Sequence, residues 1–219
     1  RATQTAPLAL LQRAGAITSA YQFHWQRFLF EHFPKGVGFA PVPTPAINDD
    51  LPLADVRAYS IDDSHTTEID DALSVQGLGS GEVTVGIHIA APGLAITPDS
   101  VADQIGRQRL STVYMPGHKI TMLPDSVVQN YTLSEGQACP AVSLYVRLSE
   151  DQLEVLSSET KLERVPIAVN LRHDQLDDRI TQAWLEGEDS TEHADVPVER
   201  ATLAFFWRLA QTLKARREQ

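Results

Sequence analysis

Between Ser60 and Ala72 the chain places five carboxylates, Asp62, Asp63, Glu68, Asp70 and Asp71, and no lysine or arginine. Like charges about 4 Å apart repel by about 1 kcal/mol in water and several times more near a protein surface. Apolar residues flank the cluster, with Val56, Ala58, Tyr59 and Ile61 before it and Ala72, Leu73 and Val75 after it. Carboxylates pinned between two buried strands need a counterion, and a hard divalent cation with oxygen ligands is the usual one.

Three readings of the stretch compete: a solvated acidic loop, a calcium loop, or a catalytic magnesium site acting on phosphodiesters. A calcium loop counted from Asp62 needs glycine at its sixth position and glutamate at its twelfth, where Thr67 and Leu73 stand. Magnesium takes few carboxylates and keeps waters, which leaves room for a phosphate oxygen. Glu68 and Asp70 share one side of an extended backbone, and Asp71 faces away unless a bulge or turn intervenes. The site is therefore expected to contain one.

The 219 residues suffice for one large domain, or a small one and a medium one, and 42% are hydrophobic, enough for a real core. A net charge of −11 argues against a general polyanion binder with a basic face. The single cysteine, Cys139, excludes an intrachain disulfide framework and a cysteine-built zinc cluster, and fits a reducing, cytoplasmic setting. No run of 18 apolar residues is present, so no membrane partner is expected.

Residues 1–40 read as a helical module. Pro7–Gly15 is a short helix with Leu8, Leu10 and Leu11 inside. Thr18 or Ser19 caps a second helix over Ala20–Phe33, ended by Pro34 and Gly36. The following extended piece allows a winged helix-turn-helix or a plain helical pair. Residues 41–54 form a proline-rich linker that carries Asp49 and Asp50, and 55–219 form the main domain. There, strands are expected over Val56–Ile61, Ala72–Val75, Val83–Ala91, Ala141–Leu148 and Gln152–Val169, the last as one long bent strand or as two divided at Pro166. Helices are expected over Asp99–Val113, His173–Glu186 and Pro197–Arg217, with a helical or coil piece over Asp125–Ser134. The last helix would bury Ala201, Ala204, Phe205, Leu209 and Leu213. The fold class is α+β.

The acidic stretch, Ser60-Ile-Asp62-x5-Glu68-Ile-Asp70-Asp71-Ala72, resembles the signature of the ribonuclease II / ribonuclease R (RNB) exoribonucleases. Gly86-Ile-His-Ile-Ala90, Arg109-Leu-Ser-Thr-Val-Tyr-Met-Pro116 and Ile120-Thr-Met-Leu-Pro124 are similar to that family's downstream motifs, in the same order. The resemblance implies the first half of an RNB-type mixed α/β catalytic domain. It also implies processive 3′-to-5′ hydrolysis of single-stranded RNA to nucleoside 5′-monophosphates, with Mg2+ or Mn2+ in its place. Asp62, Asp70 and Asp71 match acids that bind the metal or are required for cleavage. Glu68 stands where the family has aspartate and is carried over as a fourth, with longer reach. Tyr114 matches a tyrosine that stacks on a base near the 3′ end, and Arg109 and Lys119 lie beside it as phosphate contacts.

Departures from the pattern, Glu68 and Ala91 among them, keep open an alternative, a non-catalytic RNA-binding or scaffold relative. The resemblance further implies that the second half of the catalytic domain and an oligonucleotide-binding barrel belong to the complete protein, of which this chain is a fragment or one piece.

Overall fold

The computed structural model describes residues 6–43, 50–193 and 195–218. The first elements in chain order are α1 (Ala6–Arg13), α2 (Ala20–His32), β1 (Ala58–Asp62), β2 (Asp71–Gln76), β3 (Glu82–Ala90) and α3 (Val101–Arg109). A short hairpin, β4 (Val113–Met115) and β5 (His118–Ile120), precedes α4 (Asp125–Tyr131). Two long strands follow, β6 (Ala138–Ser149) and β7 (Val155–Arg172), then α5 (His173–Leu176), α6 (Gln182–Glu186) and α7 (Arg200–Arg217).

The α+β class holds, and the strands close on themselves. They form a barrel in the order β1-β2-β3-β6-β7, antiparallel except where β7 meets β1 in parallel. Strand alternation sends one face inward. Ala58, Ala72, Ala141, Val165 and Ile167 fill the interior, and their small volumes suit a narrow barrel. A polar layer crosses it: His88 is fully buried, with its two ring nitrogens 2.8 Å from Ser74 Oγ and Ser143 Oγ. Gly86 makes room for this layer. A Cβ there would sit 2.6 Å from His88 Nε2 and closer still to Ser74 Oγ. Outside, Val83, Val85 and Leu148 are covered by Phe205 of α7.

The last strand is the single long one, and Pro166 does not divide it. The proline pairs with Ala138, the first residue of β6, two residues before Ala168, which β7 leaves unpaired against β1. A missing N–H is tolerated at such a ladder end.

Other expectations shift for local reasons. Leu10 and Leu11 are exposed, and α1 buries nothing. Among the described residues, two helices lead into an irregular segment rather than a wing, since 37–40 forms no strand. The helix expected over Asp99–Val113 ends at Arg109, because Leu110 takes a left-handed φ of 64° and Val113 enters β4. The span His173–Glu186 divides into α5 and α6, because Thr181 caps a new helix by accepting the Trp184 N–H. The buried face of α7 runs through Thr202, Leu203 and Phe205, while Leu213 is exposed.

Of the linker, 44–49, including Asp49, lie outside the described residues. Its end is fastened to β7, where Arg164 N–H donates to Pro52 O at 2.8 Å and Ala54 N–H to Arg164 O at 2.8 Å.

Candidate active site

The acidic stretch spans one mouth of the barrel. Asp62 ends β1 and Asp71 begins β2, with an irregular connection between them. Ile69 fixes the connection. It is buried in the barrel core, its N–H donates to Thr132 Oγ1 at 2.7 Å, and its carbonyl accepts the Leu133 N–H at 2.9 Å. Anchoring Ile69 inward leaves Glu68 and Asp70 on its two flanks. A turn closed by Thr66 N–H to Asp63 O (2.9 Å) completes the loop. Arg172, at the end of β7, donates from Nη1 to Asp63 O (2.9 Å) and Thr66 O (3.1 Å). Asp63 thus serves through its backbone as a turn residue, and His65 is exposed on the loop.

Asp62 is oriented by a chain of donors. Asn170 Nδ2 donates to Ser60 Oγ at 2.9 Å, and Ser60 Oγ donates to Asp62 Oδ2 at 2.6 Å. β1 pairs with β2 at Tyr59–Leu73, and Asp62 lies near enough to Asp70 for its charge to act on it. Partial desolvation raises the Asp70 carboxyl above its ordinary pKa, as do the charges of Glu68, Asp71 and Asp62, while Lys119 opposes them. Regular pairing from Asp71 onward, beginning opposite Ile89, turns Asp71 away from the face of Ala72 without a bulge. The irregularity expected at the site lies before Asp70 instead.

The hairpin β4–β5 stands over this loop. Tyr114 is 70% exposed. Lys119 Nζ lies 2.8 Å from Glu68 Oε1, so both groups meet each other rather than a free ligand. Arg109 is engaged by the protein itself. It donates to Thr121 O (2.7 Å), Val37 O (2.7 Å) and Gly38 O (2.9 Å), and its guanidinium lies 3.9 Å from the Phe39 ring centre. Burial lowers its pKa. Its expected place as a phosphate contact gives way to that of a clamp between the N-terminal segment and the residue that follows β5.

A cleft of about 400 Å³, lined by Glu68, Asp70, Tyr114, Met122, Tyr131 and Thr132, opens beside the acids. A more polar one of about 630 Å³ lies across the hairpin and includes Asp63, His65, Glu68, Tyr114, His118 and Lys119. A larger groove of about 1120 Å³ between the β2–β3 turn and α7 holds none of the clustered acids. Size alone does not make it the site.

Carboxylate oxygens are the donors magnesium takes, and a cation would relieve the crowding around Asp70, so the donor chemistry fits. Among the described residues, no three acid, histidine or cysteine side chains converge on one cation position. The described geometry therefore holds no ready-made coordination shell. Ser60, Thr132, Asn170 and Arg172 escaped the sequence reading. Only Ser60, two residues before Asp62, carried a local signal, since it shares that residue's face of the strand.

The RNB domain family model matches residues 51–219. Exoribonuclease 2 of Proteus mirabilis is 34% identical over 151 residues, covering 67% of this chain and 23% of that protein. Mycoplasma genitalium RNase R, solved in complex with ribose methylated single-stranded RNA, superposes with a TM-score of 0.62 at 17% identity, over 78% of this chain and 26% of that one. Yeast Ssd1, described as a pseudonuclease, superposes with a TM-score of 0.56 at 23% identity, over 66% of this chain and 18% of that one. The chain thus spans about a quarter or less of the length of each of these proteins. With the family model covering the barrel and every acid at its mouth, the chain belongs to the RNB domain family.

Proposed function

We propose that the protein containing this chain is a magnesium-dependent, processive 3′-to-5′ exoribonuclease of single-stranded RNA. The observation that carries the reading is the placement of Asp62, Asp70 and Asp71 along the β1–β2 connection at one barrel mouth, beside an exposed tyrosine, within the matched RNB span. Asp62, Asp70 and Asp71 would hold the ion. When bound, it would neutralise the scissile phosphate and lower the pKa of an attacking water. An acid of the cluster not engaged with the ion would take the proton that water gives up and return it to the departing O3′. Water oxygen bonds to phosphorus and the P–O3′ bond breaks. A nucleoside 5′-monophosphate leaves and a new 3′-hydroxyl remains. Tyr114 offers a ring for stacking the terminal bases, at about 1–3 kcal/mol per base. The RNA-bound RNase R structure of similar fold supports RNA as the ligand.

The test is digestion of uniformly labelled poly(A) by the intact protein, with magnesium or with chelator. Asp70→Asn is expected to abolish mononucleotide release, by at least about a hundredfold, and to leave RNA binding nearly intact. Turnover like that of the wild type would remove Asp70 from the site.

A second reading, an RNA-binding relative without catalysis, draws on the engagement of Glu68 by Lys119 and on the similarity to a pseudonuclease. The same assay separates the two, because that reading expects RNA binding without mononucleotide release.

A further inference from the structure

The hairpin β4–β5 is held from two sides. On one side, α2 reaches it: Tyr21 Oη donates to Pro116 O at 2.6 Å, and the Trp25 ring stacks on His118 at 4.6 Å, nearly parallel at 8°. On the other, Lys119 Nζ meets Glu68 Oε1 at 2.8 Å and comes within 3.5 Å of Thr67 Oγ1. Between these attachments the chain turns tightly at Gly117, whose φ of +77° suits glycine. Tyr114 stands on the first strand, paired directly across from Lys119.

We propose that Glu68 and Lys119 form a latch. It seats the Tyr114 hairpin on the acidic loop, which makes Glu68 a positioning residue rather than a ligand of the metal.

An exposed ion pair usually contributes almost nothing, because water and salt screen it and both side chains lose freedom. This pair differs in three ways. The Glu68 side chain is only 13% exposed and that of Lys119 34%. The backbone beside Glu68 is pinned by the buried, hydrogen-bonded Ile69, so only its side chain remains to be ordered. Lys119 sits on a two-stranded hairpin whose other side is fixed by ring stacking, so little freedom remains to be lost.

Geometry gives the latch a consequence. Glu68 and Tyr114 line both clefts, so the pair and the tyrosine form the wall between them. Releasing Lys119 would unseat that wall and change how far Tyr114 stands from the acids. For an exonuclease, that distance sets how short an RNA can become before the enzyme loses its grip. The longer reach of glutamate also acquires a purpose, since it extends toward the lysine of the hairpin. The purpose of the latch rests on the nuclease reading, whereas its existence rests on the geometry alone.

The test uses the intact protein as wild type, Glu68→Gln, Lys119→Met, the double variant, and the charge exchange Glu68→Lys with Lys119→Glu. Three measurements separate the possibilities: hydrogen exchange over 113–120, calorimetric titration with Mg2+, and the length of the limit product from labelled poly(A). Each single substitution is expected to speed exchange across the hairpin about tenfold and to lengthen the limit product. The double variant should be no worse than either single one, and the charge exchange should restore much of the loss. Magnesium affinity should stay within about twofold in both single variants. Weakening by more than about tenfold in Glu68→Gln, with hairpin exchange unchanged in Lys119→Met, would overturn the proposal and return Glu68 to the metal. Were the wild type inactive on RNA, the nuclease reading would fall, and exchange and calorimetry would still decide the latch.

Discussion

His88 shows how one residue can govern the inside of a barrel. Burial drives its pKa from 6.5 down to about 4, only partly offset by the charge of Glu163, so the ring is neutral and shared between Ser74 and Ser143. Between those values the unfolded chain binds a proton that the folded chain refuses. Stability is therefore complete above about pH 6.5 and falls as the pH drops toward about 4, by up to about 3 kcal/mol at about 1.4 kcal/mol per pH unit. His88→Gln should flatten this slope, which urea denaturation at pH 7, 5.5 and 4.5 would measure. Parallel slopes in the two proteins would show that His88 does not carry it. The motif Gly86-Ile-His-Ile-Ala90 was visible in the sequence, but the interior position of His88 was not. That placement depends on Ser143, 55 positions away, arriving at the same level of the barrel.

At the scale of elements, attachment matters more than helix propensity. The helix α2 buries no residue, yet its rings and the Arg109 clamp hold the N-terminal segment against the hairpin. Hydrogen bonds from a charged donor are each worth about 1.5–3 kcal/mol. Arg109→Ala is therefore expected to open the 33–43 segment to limited proteolysis at least about tenfold faster, with a smaller effect on global melting. Arg109→Lys should rescue poorly, because a single ammonium cannot reproduce a planar fork that reaches Val37, Gly38 and Thr121 together. Full rescue by lysine would show that charge alone suffices. Sequence spacing located α2, offered Thr18 or Ser19 as its cap, and left the loop over 114–124 without a regular element. It could not show that the loop is a hairpin, because three-residue strands carry too little alternation to read.

For the whole molecule, closure of the barrel by β7 on β1 is the decisive step. The two strands are more than ninety positions apart and run parallel. Ile167 lies at that seam, 2% exposed. Ile167→Ala should cost about 2–5 kcal/mol, lowering the melting temperature by about 5–15 °C for a domain of this size. Leu10→Ala, on a helix that buries nothing, should change it by less than about 0.5 kcal/mol. A comparable loss at Leu10 would mean that α1 is covered in solution.

What the sequence determined by itself is local: the acidic run, the turns that bound it, most strand positions and the order of the motifs. These follow from residue chemistry and from a period of two or 3.6, which need no distant partner. Tertiary structure decided which acids face one another, which cations remain available and which elements hold the hairpin. Asp62 meets Ser60, which Asn170 holds, Glu68 meets Lys119, and Arg109 turns inward to the chain itself. Each of these outcomes depends on groups 50 or more positions apart, or on the face a strand presents. Only closure of the barrel sets such relations, because charge and hydrogen bonding act over a few ångströms of space regardless of distance along the chain.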